Sequence, residues 1–285
     1  GCDNRCAYCA IPLIRGGYQS RPADSILREC EALAARGVTE LTLIAQDTSR
    51  YGSDLPGEVN LAGLLRKISE IDGVRWLRTL YCYPDTVTDE LLDAIGGLPK
   101  VCSDLDLPLQ HISGEVLRRM NRRGSPELIR ELIASCRARG ILVRTTFIVG
   151  FPGETEAQFE ELLDFVRWAR FDRLGAFSYS PEEGTAAAEM PGQIDEAVKK
   201  DRLDRLMRLQ QGISLEINRA RVGETCEVLV ESFENGRYLG RSRKEAPEVD
   251  GLIRVKSRRT LSPGEYVQVQ ITGASEYDLD GEAVQ

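Results

Sequence analysis

The sequence predicts an α/β protein, a partial, open barrel of six βα units followed by a small antiparallel β-barrel. Three observations carry that reading. Apolar, β-branched stretches alternate with segments of helical spacing as far as Ser180. One long helical pattern, residues 195–218, then breaks the alternation. Beyond it the segments are short, alternate with period two and are separated by turn residues.

The strands are expected at 38–46 (VTELTLIAQ), 76–81 (WLRTLY), 104–109 (DLDLPL), 141–150 (ILVRTTFIVG) and 173–180 (RLGAFSYS). Helices fall between them. The first, 25–36, ends at Gly37, a natural C-terminal stop. Helices at 61–71 and 89–95 follow, then 126–139, which stops at Gly140. Thr155 opens the next with Gln158 three residues on, a capping box, and Phe159, Leu162, Leu163, Val166 and Ala169 keep helical spacing behind it. A sixth strand is expected before Gly1, which gives an open TIM-like barrel rather than a closed eight-fold one. The 195–218 helix carries Leu203, Leu206, Leu209, Ile213 and Ile217 on one face. The small barrel is expected from 225–233, 238–242, 251–257 and 265–272, with turns at Asn235-Gly236 and Pro263-Gly264. The domains are therefore placed at 1–218 and 219–285.

A chain of 285 residues has room for one large and one small domain. No run of eighteen apolar residues is present, so no membrane-spanning helix is expected. No leader is visible, and the chain begins at Gly1 without a methionine, as a fragment would. Its net charge of −8 argues against a general nucleic-acid binder. Five of the eight cysteines, Cys30, Cys82, Cys102, Cys136 and Cys226, are scattered singly. That pattern suits reduced thiols in a cytoplasmic protein with one metal site better than a disulfide framework.

The site is the opening stretch, GCDNRCAYCAIPLIRGG, where Cys2, Cys6 and Cys9 are spaced CxxxCxxC. Structural zinc takes four ligands, usually as two separated pairs, and no second pair follows. The one histidine, His111, is a hundred residues away. A 4Fe–4S cluster held by three thiolates keeps one iron open for a substrate or cofactor. The spacing favours that cluster, with zinc and unliganded thiols as the alternatives.

With Tyr8 before the third cysteine, the motif resembles the CxxxCx(aromatic)C signature of the radical S-adenosylmethionine (radical SAM) superfamily. That resemblance implies a cluster whose open iron binds S-adenosylmethionine, and a 5′-deoxyadenosyl radical that abstracts hydrogen from an unactivated carbon. QDTSRYG, LPLQHISGEVLRRMNR, TTFIVGFPGET, FSYSPEEGTAAAEMPGQI and APEVDG further resemble the methylthiotransferases, which convert C–H to C–SCH3. The nearest likeness is to the branch acting on the β-carbon of an aspartate in a small-subunit ribosomal protein. The branch acting on tRNA is the alternative. A nucleic-acid-binding module with a structural metal site is the reading from another class. The family also implies a second 4Fe–4S cluster in an N-terminal domain not seen in this chain, and a low-potential electron donor.

Within that resemblance the cofactor contacts fall on Tyr8, Gln46, Gln110, Thr146, Gly150, Glu154 and Tyr179, at or near the strand ends where βα barrels place their sites. No catalytic residue is assigned. Each position has a plain structural reading too. Gln46 and Gln110 could be loop residues, Gly150 and Gly153 could only form a turn, Tyr8 could pack on the core, and His111 could be a satisfied structural histidine. Arg15 and Arg21 are either substrate clamps or ordinary loop charges. Cys30 and Cys226 are read as small apolar core residues.

The family's C-terminal barrel is a TRAM domain that holds the macromolecular substrate. From Arg219 onward this chain has ten basic and twelve acidic residues, with only Phe233, Tyr238, Tyr266 and Tyr277 aromatic. A near-neutral barrel suits a basic ribosomal protein better than tRNA, although the basic stretch 254–259 keeps RNA open. Glu224, Glu227, Glu231, Glu245, Glu248 and Asp250 are the acidic groups expected to meet that protein.

Overall fold

The computed structural model describes residues 1–284, so Gln285, the last residue of the expected barrel, lies outside the described residues. Contacts divide the chain into two compact units. The first comprises Gly1–Arg170 and Leu174–Met207, and the second Phe171–Arg173 and residues from Arg208 onward.

In chain order the elements before the barrel strands are α1 (Ile11–Arg15), α2 (Ala23–Ala35), β1 (Glu40–Ile44), α3 (Leu61–Ser69), β2 (Trp76–Leu80) and α4 (Asp89–Gly97). Then come β3 (Asp104–Gln110), α5 (Gly114–Arg119), α6 (Pro126–Ala138), β4 (Leu142–Val149), α7 (Glu156–Ala169), β5 (Arg173–Ser178) and the long α8 (Glu196–Ala220). Local chemistry explains the boundaries. Asn60, Thr88 and Ser125 accept the amide protons of Gly63, Leu91 and Leu128, which starts α3, α4 and α6. Both bonds of the Thr155–Gln158 capping box form at the head of α7.

Strands β1 and β2 pair in parallel, with Thr42 opposite Arg78. Strands β3, β4 and β5 form a second piece, with Asp106 opposite Arg144 across the parallel β3–β4 pair. Backbone bonds from Leu77 N to Lys100 O (2.8 Å), Cys102 N to Leu77 O (2.9 Å) and Cys82 N to Asp106 O (2.8 Å) join the two pieces. The strands thus follow one another in chain order, as a partial βα barrel requires.

Successive side chains leave opposite faces of a strand. On one face Leu41, Leu77, Leu105, Leu107, Val143, Phe147 and Val149 are buried beneath the helices, and Phe147 meets Phe165 of α7 edge-on at 6.3 Å. The concave face is polar. Fully buried Arg78 gives Nε to Glu40 at 2.7 Å and Nη1 to Asp104 at 3.5 Å, a charged rung across three strands. Arg144 and Thr146 continue this face along β4. Helices α1 and α5 were not expected from the sequence, because five and six residues are too few to show a helical period. The α8 face also differs from expectation. Leu206 and Ile213 are buried, but Leu203, Leu209 and Ile217 are only half-buried, and Lys199, Arg202, Gln210, Ser214 and Asn218 complete the buried stripe. Those polar groups are held by partners such as Phe171 O, which accepts from Gln210 Nε2 at 2.9 Å.

In the second unit β6 (Thr225–Glu234), β7 (Arg237–Ser242), β8 (Ile253–Lys256), β9 (Tyr266–Ala274) and β10 (Leu279–Ala283) close a barrel in the order β10-β8-β7-β6-β9. Val228, Val230, Ile253, Val255, Val267, Val269 and Ile271 fill it. The barrel is antiparallel except where it closes, since β8 and β10 run parallel. Strand β10 was missed because LDGEA has no β-branched residue and its Asp-Gly reads as a turn. The glycine serves packing: a Cβ on Gly281 would stand 2.4 Å from Val269 Cγ1, beside a bulge in the β9–β10 pair.

The acidic groups expected to face a basic partner are largely spoken for. Glu245 is buried against Arg173 and Arg221, and Asp250 lies 3.5 Å from Arg173. Glu231 pairs with Arg241 at 2.6 Å and Glu224 with Lys244 at 2.8 Å. Formal charge counted these residues as surface, while the loop between β7 and β8 uses Glu245 and Asp250 to bind itself together. Among the described residues no helix is long and apolar enough to cross a membrane.

Candidate cofactor site

The cysteine loop is fastened at both sides. Ala7 N donates to Met120 O at 2.9 Å, Asn121 Nδ2 to Arg5 O at 2.8 Å, and Ala187 N to Ala7 O at 2.8 Å. Asn4 Nδ2 donates to Asp47 Oδ2 at 2.9 Å, just past the end of β1, and Ser49 Oγ donates to the other oxygen at 3.0 Å. The backbone of Arg5 turns through φ 50° and Cys9 N donates to Cys6 O at 3.0 Å, which folds the three thiols onto one short loop. Cys2 and Cys6 are buried and Cys9 is half-buried. Burial pushes the Cys9 thiol up, so a metal bound there must displace its proton.

The surroundings of Cys6 were not foreseen. Its sulfur lies 2.9 Å from the Tyr83 hydroxyl and 3.9 Å from Arg122 Nη1. The Arg122 guanidinium sits 4.0 Å over the Tyr83 ring and donates through Nη2 to Pro108 O. Burial alone would lower the Arg122 pKa, but Tyr8, Tyr83 and Cys6 around it shift it upward on balance. Burial likewise raises the Tyr8 and Tyr83 phenols. The signal for Arg122 was present in the sequence as the last residue of LPLQHISGEVLRRMNR. Tyr83 had no comparable mark.

Among the described residues no three His, Cys, Asp or Glu side chains gather into a cage for one metal ion. Three thiolates of a cubane bind three different irons, so they need not converge on a point as the ligands of a single zinc do. A soft all-sulfur donor set on a half-buried loop beside a buried cation fits an anionic iron–sulfur cluster.

The other expected residues divide into three groups. Tyr8 and Ile148 pack against a buried cluster that includes Ala7, Met120, Phe151 and Tyr179, and the Phe151 and Tyr179 rings meet edge-on at 5.3 Å. This aromatic cluster adjoins the cysteine loop, and Thr146 shares the concave face of β4 with Ile148. Gln110 closes β3 with φ 69°, an uncommon conformation for a residue with a side chain, and its Oε1 is buried without a partner. Tyr81 past β2 (φ 61°) and Gly150 past β4 (φ 73°) are left-handed too, so three adjacent strand ends turn alike. A Cβ on Gly150 would stand 2.4 Å from Lys199 Cγ.

The second group serves the framework. Glu154 is buried, and its Oε2 accepts from Gly150 N and from Phe151 N, the latter at 3.1 Å. Its Oε1 lies 3.7 Å from His111 Nε2, and Arg202 Nη1 lies 3.7 Å from Oε2. Nδ1 of His111 accepts from Ser113 N at 2.9 Å. This carboxylate holds the GFPGE turn, with Gly153 N bound to Gly192 O at 2.8 Å. The third group is exposed. Gln46 is exposed, and Asp47 beside it makes the bond to the cysteine loop. Arg21 is tied to Glu29 at 2.6 Å and Ser25 on α2, and Arg15 is exposed at the end of α1.

Residues 1–166 match the Radical SAM superfamily and residues 222–284 match the TRAM domain. The chain belongs to the radical SAM superfamily. It is 54% identical over its whole length to the ribosomal protein uS12 methylthiotransferase RimO of Pelotomaculum thermopropionicum, and 51% identical to that of Desulforamulus reducens. The chain spans 65% of the length of each. Among solved structures it is similar to the radical SAM methyltransferase TsrM of Kitasatospora setae with cobalamin and a [4Fe-4S] cluster bound (TM-score 0.56, 19% identity, 84% of this chain and 40% of that one). It is also similar to the coproporphyrinogen III oxidase HemN of Escherichia coli (TM-score 0.56, 16% identity, 93% of this chain and 63% of that one). At those identities the likeness speaks for the fold.

Proposed function

We propose that this chain is the radical SAM and TRAM portion of a methylthiotransferase that converts C–H to C–SCH3 on ribosomal protein uS12, at the β-carbon of an aspartate. The observation that carries the reading is the end-to-end likeness to RimO relatives, with the Cys2, Cys6 and Cys9 loop intact. Those three thiols would hold a 4Fe–4S cluster. Together with S-adenosylmethionine, that cluster would supply abstraction of a hydrogen atom from an unactivated carbon.

This chain's own residues bind, orient and shield. Tyr8, packed on the buried aromatic pair of Phe151 and Tyr179, offers an apolar surface beside the thiol loop for the adenosyl group. Gln110 offers a buried, unpaired oxygen at a strand end, and Thr146 a hydroxyl on the same concave side. Gly150 and Glu154 fix the turn after β4, Glu154 from within. The rung of Glu40, Arg78 and Asp104 keeps the concave face polar. The family's second cluster and a low-potential electron donor would be supplied outside this chain, and the relatives' greater length leaves room for the former. Because Glu224, Glu231, Glu245 and Asp250 are internally paired, preference for uS12 over tRNA rests here on the relatives rather than on charge.

The test is mass spectrometry of uS12 and of tRNA after incubation with the full-length reconstituted enzyme, S-adenosylmethionine, sulfide and a reductant. A methylthio group on a uS12 aspartate is expected. Modification of tRNA with uS12 untouched would move the chain to the tRNA-acting branch. Zinc in place of iron and sulfide would favour the binding-module reading.

A further inference from the structure

We propose that Arg122 and Tyr83 set the reduction potential of the cluster held by Cys2, Cys6 and Cys9, by placing a buried cation and a phenolic hydrogen bond at the Cys6 sulfur. The inference rests on the cluster assignment above and adds to it two residues that meet the Cys6 sulfur.

Five observations support it. The Tyr83 hydroxyl is 2.9 Å from Cys6 Sγ, and against a metal-bound thiolate it can only donate. Arg122 Nη1 is 3.9 Å from the same sulfur. The cation is fixed in place, stacked 4.0 Å over the Tyr83 ring and bonded to Pro108 O at its other nitrogen. Both side chains are at least nine-tenths buried, so water screens neither of them well. Guanidinium keeps its proton in any protein environment, so the charge is permanent. Tyr83 is itself positioned, because Ser49 Oγ accepts from its amide at 2.8 Å while donating to Asp47, the residue that also grips Asn4 of the cysteine loop.

The physical consequence follows from charge. Reduction adds one electron, from a low-potential donor, to a group that is already anionic. A fixed cation and a hydrogen bond at one sulfur stabilise the more negative state and raise the potential. A wholly structural role is the competing account, since Arg122 also ties the end of α5 to β3 through Pro108. The two accounts separate in a potential measurement, because a structural tie moves stability and leaves the potential alone.

The experiment uses the full chain, reconstituted anaerobically with iron and sulfide, as wild type, Arg122→Met, Arg122→Lys and Tyr83→Phe. Iron and acid-labile sulfide are assayed first. The midpoint of the cluster is then read by electron paramagnetic resonance during titration with dithionite. Arg122→Met is expected to titrate at a clearly lower potential than wild type. Arg122→Lys should recover part of the difference, and Tyr83→Phe should fall between wild type and Arg122→Met. Tyr83→Phe removes only a hydroxyl, so it answers even if Arg122→Met fails to fold or to hold iron. Unchanged midpoints in cluster-loaded Tyr83→Phe and in whichever Arg122 variants load would overturn the proposal. Failure of the wild-type chain to take up iron and sulfide would instead overturn the cluster assignment.

Discussion

Along β9 of the C-terminal barrel the inward side chains are Val267, Val269 and Ile271, all buried, with Gln268 and Gln270 between them in water. Along β4 of the first unit the arrangement is reversed: Val143, Phe147 and Val149 face the helices, while Arg144 and Thr146 lie on the concave side. Both strands alternate cleanly, yet the concave face is wholly apolar in one and carries polar groups in the other. Closure is the cause. A closed barrel of this size has space only for its own side chains. A partial barrel covered by helices on one side keeps its concavity for a ligand, and polar groups placed there must find partners. The Glu40–Arg78–Asp104 rung is how this chain satisfies them at one end, while Gln110, Gly150 and the cysteine loop lie beyond it at the strand ends.

The sharpest break in the comparison concerns the thiols. Replacing Cys2, Cys6 or Cys9 by alanine is expected to abolish iron–sulfur absorption and cleavage of S-adenosylmethionine. The same change at Cys30, Cys136 or Cys226 should leave both largely intact, because those thiols pack and do not ligate. Burial pushes the Cys136 thiol up to about 12, which marks it as inert at neutral pH. Anaerobic reconstitution with absorption spectroscopy distinguishes the two sets.

Next are paired substitutions on the two concave faces. Arg78→Met removes the buried cation between Asp104, which is buried, and Glu40, which is half-buried, and should cost about 3–5 kcal/mol. Adding Glu40→Gln and Asp104→Asn should restore much of that. In the barrel, Ile253→Ala opens a cavity and should cost about 2–5 kcal/mol. Chemical denaturation monitored in both units measures this. An Arg78→Met variant as stable as wild type would mean that the first concavity tolerates apolar filling and is merely a second core.

A third contrast is pH. Burial alone would raise the Glu245 pKa, but Arg221 and Arg173 beside it, with the Ser242 hydroxyl, hold it below its ordinary value of 4.5 on balance. A carboxyl whose folded value is depressed contributes stability above the unfolded value and loses it as pH falls through the folded one. The second unit should therefore weaken as pH drops below about 4.5. Glu245→Gln should be less stable at neutral pH and show a flatter acid limb. Thermal melts of the full chain between neutral and acid pH test this, and an acid limb unchanged by the substitution would assign the sensitivity to other carboxylates.

What the sequence revealed followed from how local each signal was. Alternation, glycine stops and the Thr155 capping box are written within a few residues, and β4, α6 and α7 stand where they were read. The thiol loop is equally local. The Cys6–Tyr83–Arg122 contact joins positions 77 and 116 residues from Cys6, and no local pattern announces it. Glu245 shows the converse failure. Charge counting treats every acidic side chain as solvated, whereas this one has a buried salt bridge on each side. Strand β10 escaped because its place in the barrel depends on register and on a glycine that lets Val269 approach, neither of which leaves a β-branched trace. Gln46 and Asp47 differ by one residue, and alternation alone does not say which of them turns toward the cysteines.

The smallest expected effect lies at the start of α7. Thr155 Oγ1 accepts from Gln158 N at 3.3 Å, and Gln158 Oε1 accepts from Thr155 N at 3.0 Å. Gln158 also donates to Glu115 of α5 at 2.8 Å and accepts from Arg119 at 3.2 Å, so the cap is linked to the helix that carries the cysteine loop's Met120 anchor. Thr155→Ala removes one acceptor and should cost about 1 kcal/mol. Gln158→Ala removes the reciprocal cap and both links to α5, so it should cost more than the hydroxyl alone, although Gln158 is largely exposed. If the concave site and the α7 cap are coupled through α5, Gln158→Ala should also slow cluster uptake during reconstitution, whereas Thr155→Ala should not. Equal uptake in both variants, with the expected losses of stability, would confine the cap to holding the helix and leave the cysteine loop fixed by its own bonds to Asp47, Met120, Asn121 and Ala187.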